Sequence, residues 1–74
     1  MTYVASIRHS SISQAPELEI VGTLTQAKRA ATARFGDGFR DHEIAVHERV
    51  DMGHYYEHRL VSTRVIGEAR WRDR

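Results

Sequence analysis

Apolar and polar positions alternate with a period of two along most of this chain, and one stretch near the middle switches to the helical period. From Thr2 to His9, Tyr3, Ala5 and Ile7 fall on one face and Val4, Ser6 and Arg8 on the other, which predicts a strand. Ser10 to Pro16 is polar and ends in the chain's single proline, so a turn region is expected there. Glu17 to Val21 alternates again, with Leu18 and Ile20 inward, and is expected to pair with the first strand. His42 to Val50 predicts a further strand with Ile44, Val46 and Val50 on its inner face, and Tyr55 to Thr63 the strand that returns beside it. Val65 to Trp71 reads as a last short strand, bent at Gly67.

The helical stretch runs from Thr23 to Phe35. Thr23 with Gln26 three residues later is a capping-box pattern, and Gly36-Asp37-Gly38 predicts a left-handed stop. At about 100° per residue, Leu24, Ala27, Ala31 and Phe35 form the stripe to be buried. Gln26, Arg29, Ala30 and Ala33 face away from it, with Lys28 and Arg34 on its flanks. A helix back of small side chains carrying cations suits docking against another macromolecule.

Between the last two long strands, Asp51-Met52-Gly53-His54 marks a hairpin, since Gly53 accepts a positive φ. A two-residue loop would set His47 opposite His58 but also Glu48 opposite Glu57. A three-residue loop centred on Gly53 instead pairs Val46 with Leu60, Val50 with Tyr56 and Arg49 with Glu57, and charge complementarity favours it. The expected fold is α+β: an antiparallel five-stranded sheet with one helix packed on one face, in the order β-β-α-β-β-β.

At 74 residues the chain makes one interaction domain spanning 1–74. A domain of that size buries only about 60% of its unfolded surface, which leaves no room for a deep substrate cavity beside a core. The formal net charge is +1, so charge is local: Lys28, Arg29 and Arg34 on the helix, and Arg64, Arg70, Arg72 and Arg74 towards the C-terminus. There is no cysteine, no apolar run of membrane-spanning length and no signal-like N-terminus, which predicts a soluble cytoplasmic protein without membrane contact.

Catalytic patterns are missing where they would be looked for. Ser10, Ser11 and Ser13 lack a glycine-framed elbow, Asp41 and Glu43 share a strand face as solvated charge, and Gly36-Asp37-Gly38 lacks the lysine and following helix of a phosphate loop. Five histidines raise a metal site, but His54 and His58 are four apart on a strand, about 13 Å from each other. His47 would meet His58 only in the disfavoured register. The expectation is therefore no enzyme, no metal, no cofactor and no small-molecule substrate. Nucleic-acid contact is the stronger alternative: Arg59, Arg64, Arg70, Arg72 and Arg74 lie among Tyr55, Tyr56 and Trp71, mixing cations with stacking rings. Trp71, however, is the natural plug for a small core, and core and edge packing is its favoured role.

The stretch Leu24-Thr25-Gln26-Ala27-Lys28-Arg29-x-Ala, preceded by two strands and followed by three, resembles a family of small phage-encoded anti-CRISPR proteins. These inhibit type I surveillance complexes; the short type I-F inhibitor is the best match, with a type I-C relative as a second target class. Tyr3, a glycine after the helix and the Trp71-Arg72-Asp73 ending occupy comparable places. The resemblance implies docking on the repeated backbone subunit of the Cascade complex, across the path of the target DNA strand. It implies partner contacts by Lys28 and Arg29, then by Gln26 and Tyr3. It also implies weak non-specific DNA contact through sheet cations, for which Arg64 and Arg70 are the nearest candidates. The family's later helix lysine and glutamine fall here on Ala33 and Phe35, so those contacts do not transfer. The alternative function is a small nucleic-acid-binding or regulatory module of a mobile element, using the C-terminal arginines.

Overall fold

The computed structural model describes residues 1–8, 17–38, 40 and 42–74. Two strands, β1 (Thr2–Arg8) and β2 (Glu17–Val21), precede the helix α1 (Leu24–Phe35); β3 (Glu43–Asp51), β4 (Tyr56–Val65) and β5 (Arg72–Asp73) follow it. All pairings are antiparallel, in the order β2-β1-β3-β4-β5. The expected α+β fold is the one observed. Because β2 and β3 flank β1, the helix between them must cross the face of β1, and that is where it packs.

Period-two alternation decides what lies beneath it. Tyr3 and Ala5 of β1 stand beside Ile44 and Val46 of β3, and all four are buried. Ala27, Ala31 and Phe35 descend onto them from α1, with Leu24 at the margin. Alanines at two successive turns keep the helix backbone close to the sheet, and Phe35 fills the space at the far end. Ile66, just past β4, closes the cluster.

The helix begins as its capping box requires. Gln26 N–H donates to Thr23 Oγ1 at 3.2 Å, and Thr23 N–H donates to Gln26 Oε1 at 2.8 Å. Its end differs from expectation: Gly36 is right-handed (φ −63°, ψ −23°) and its N–H bonds to the Thr32 carbonyl, so there is no left-handed stop at this residue. Glycine is still needed there, because a Cβ on Gly36 would collide with the Thr32 carbonyl oxygen.

Neither expected hairpin register is realised. Met52 N–H donates to the Tyr55 carbonyl at 2.9 Å, which leaves Gly53 and His54 as a two-residue turn, with Gly53 at φ +96°. Asp51 pairs with Tyr56, Arg49 with His58, Glu48 with Arg59 and His47 with Leu60; a bulge at Val61 then sets Val46 opposite Ser62. Opposite charges do face each other, but the pair is Glu48–Arg59. The last strand is likewise corrected: β4 extends to Val65, Gly67 sits in a turn at φ +101°, and β5 is only Arg72–Asp73. The expectations for His9, the turn at Ser10–Pro16 and Asp41 lie outside the described residues. No described helix is long and apolar enough to cross a membrane.

Candidate docking surface

The residues expected to meet a partner have different fates. Arg29 is exposed on α1 and makes no hydrogen bond or ion pair among the described residues. Lys28, one residue earlier, is turned toward the sheet edge instead. Its Nζ lies 2.7 Å from Asp73 Oδ1 and 5.8 Å from the centre of the Trp71 ring, and the side chain is 21% exposed. Lys28 thus ties β5 to the helix. Gln26 is exposed, but its side-chain carbonyl is occupied by the Thr23 cap. Tyr3 is buried in the core, so its ring is not offered to a partner.

Asp73 is the centre of this tie. Its Oδ1 also accepts from Ser62 Oγ at 2.6 Å, a buried hydroxyl on β4. The bonds from Lys28 and then Ser62 hold the Asp73 carboxyl below its ordinary range, outweighing the opposing effect of desolvation. Nothing local in the sequence announces this triad: Ser62 and Asp73 are 11 residues apart, Lys28 lies far upstream of both, and only the sheet order assembles them.

The candidate nucleic-acid residues also separate. Arg64 is engaged within the molecule, its Nε donating to the Glu68 carbonyl at 2.6 Å and its Nη1 to Thr32 Oγ1 at 3.1 Å. It braces the loop after β4 against α1. Arg70 is exposed. Arg59 and Arg72 lie 3.8 Å from Glu57 and Glu68 respectively. His47 and His58 do come together, diagonally across the hairpin, with ring centres 6.4 Å apart. Burial, then the charges of His58 and Arg8, hold the His47 imidazole below its ordinary value. Among the described residues no three His, Cys, Asp or Glu side chains gather as a metal site would require.

A shallow groove of about 360 Å³ runs along the outer flank of α1. Thr25, Lys28, Arg29, Thr32 and Ala33 line it from the helix and Trp71 from the C-terminal segment. Its two charged side chains are Lys28, already bound to Asp73, and Arg29. An indole wall beside an exposed guanidinium suits an apolar side chain with an acceptor next to it. Sequence reasoning placed the basic residues here but missed Trp71 as their wall, and it missed Thr25 and Thr32. The threonines were legible in principle, since each lies one helical turn from Lys28, Thr25 before it and Thr32 after it. No family model, curated protein or solved structure matches the chain.

Proposed function

We propose that this chain is an interaction protein that blocks a larger assembly by docking along the outer flank of α1. In its specific form it is an anti-CRISPR protein seated on the backbone subunit of a type I Cascade, across the path of target DNA. The observation that carries the reading is Arg29: an exposed guanidinium, unpaired among the described residues, beside an apolar groove with an indole wall. The element order on which the resemblance partly rests, two strands before the helix and three after it, is the observed one. Steric blockade asks little of so small a domain, since an interface of about 1,200–2,000 Å² with one or two anchors is enough. Lys28 acts in this reading through the groove wall, by holding Trp71 and Asp73 in place.

The test is a mobility shift with purified type I-F or I-C Cascade and labelled target duplex, the protein being added first. The expected result is loss of specific target binding, no shift by the protein alone, and recovery of target binding with Arg29→Glu. A shift by the protein alone, weakening log-linearly and steeply with salt, would replace this reading with direct nucleic-acid binding.

A further inference from the structure

Among the described residues, β4 is covered on its outer side over only part of its length. β5 pairs with it at Ser62 and Thr63, and Arg74 N–H donates to the Val61 carbonyl at 2.9 Å. From Tyr56 to Leu60, no strand among the described residues lies on that side. The hairpin turn sets the direction of the peptide groups along this stretch. Because Met52 and Tyr55 are hydrogen-bonded, strict alternation turns the peptide groups of Glu57 and Arg59 toward β3. Those of Tyr56, His58 and Leu60 then point outward. The side chains alternate as well: Glu57 and Arg59 share the helix side of the sheet, 3.8 Å apart, while Tyr56, His58 and Leu60 share the other side.

We infer that this open edge, Tyr56–Leu60, is a homodimer interface onto which a second copy adds its own β4, antiparallel, about a two-fold axis at His58. The free stretch is five residues with His58 at its centre, so the register that pairs it wholly with itself is set. His58 then faces the partner's His58, Glu57 faces the partner's Arg59, and Tyr56 faces the partner's Leu60; symmetry repeats the last two pairs. The outward peptide groups of Tyr56, His58 and Leu60 are in phase with this register, each pair exchanging two backbone hydrogen bonds. Charges on an edge strand ordinarily prevent self-pairing. Here they are complementary, and centring the axis on Glu57 or Arg59 instead would set like charges opposite each other. The other free edge shows the contrast: β2 carries Glu17 and Glu19, and pairing centred on Glu19 would oppose two carboxylates. The β4 pairing is isologous and closed, joining two five-stranded sheets into one.

The test is the mass of the full chain by sedimentation or light scattering, from micromolar to about 1 mM protein. The wild type is expected to shift from 8.5 kDa toward twice that mass with concentration. Glu57→Arg and Arg59→Glu should each raise the dimer dissociation constant by about tenfold or more. The double swap, which restores complementarity, should return it to near the wild-type value. His58→Cys supplies a second readout, since paired Cα atoms about 5.5 Å apart lie within disulfide reach. The chain has no cysteine of its own, so oxidation should link that variant across the axis and leave Val21→Cys, on the β2 edge, unlinked. A wild type that stays at 8.5 kDa throughout, or a dimer indifferent to both single reversals, overturns the interface. So does a folded double swap that fails to dimerise.

Discussion

Lys28 and Arg29 are neighbours in the sequence with different work in the fold. Lys28 Nζ is held by Asp73 and the Trp71 ring, whereas Arg29 reaches solvent. Lys28→Ala should therefore lower stability by about 1 kcal/mol through loss of the ion pair and the cation–π contact. Arg29→Ala should stay within about 0.5 kcal/mol of wild type in the same urea titration. Equal losses would contradict the division. His47 makes a second residue-scale prediction. Its folded pKa is depressed, chiefly by burial, so the unfolded chain takes up the proton first as pH falls. The associated stability is present above the unfolded value of about 6.5 and is lost as pH drops through the folded one. Melting temperature should fall between about pH 7 and pH 5, and His47→Gln should flatten that fall; an unchanged slope would place the titration elsewhere. The identity of these residues was readable in the sequence, but their partners were not, because Lys28 and Asp73 meet only once the sheet brings β5 beside α1.

Among the elements, α1 was the most legible. Its cap is a contact between residues three apart and its buried face follows from the helical period, so neither depends on the rest of the chain. Thr23→Ala removes the acceptor for the Gln26 N–H and should cost about 1 kcal/mol. In a domain of this size that corresponds to a drop of about 4–8 °C in melting temperature, measurable by far-ultraviolet circular dichroism. The hairpin was less legible. Its candidate registers differ by single residues, and the cross-strand pairs that separate them contribute only about 0.2–1 kcal/mol each. The actual one combines the Gly53-His54 turn with a bulge at Val61, and no local pattern marks that bulge. β5 was misplaced for a similar reason. Two residues make no periodic signal, and Asp73 belongs to the sheet because Ser62 and Lys28 hold it there.

The molecule as a whole rests on a small core. Ile44 and Val46 are fully buried and lie under Ala27, Ala31 and Phe35, at the centre of a cluster that Tyr3, Ala5 and Ile66 complete. Ile44→Ala should cost about 2–5 kcal/mol. A domain of this length has a total of about 4–11 kcal/mol at 0.05–0.15 kcal/mol per residue, so the urea midpoint should fall by about a fifth or more. A shift of a few per cent would mean that the core lies elsewhere. The same smallness bears on function, since the accessible features among the described residues include the α1 flank, a hairpin and two sheet edges. From the order of amino acids alone came the type and order of the elements, the faces they bury and the helix cap, all governed by spacings of a few residues. Folding in three dimensions set the register of β3 on β4, the placement of β5, the withdrawal of Lys28 and Tyr3 from solvent, and the open edge of β4. Those depend on contacts between distant segments, whose energies differ by tenths of a kilocalorie between alternatives and are chosen by the packing of the entire sheet.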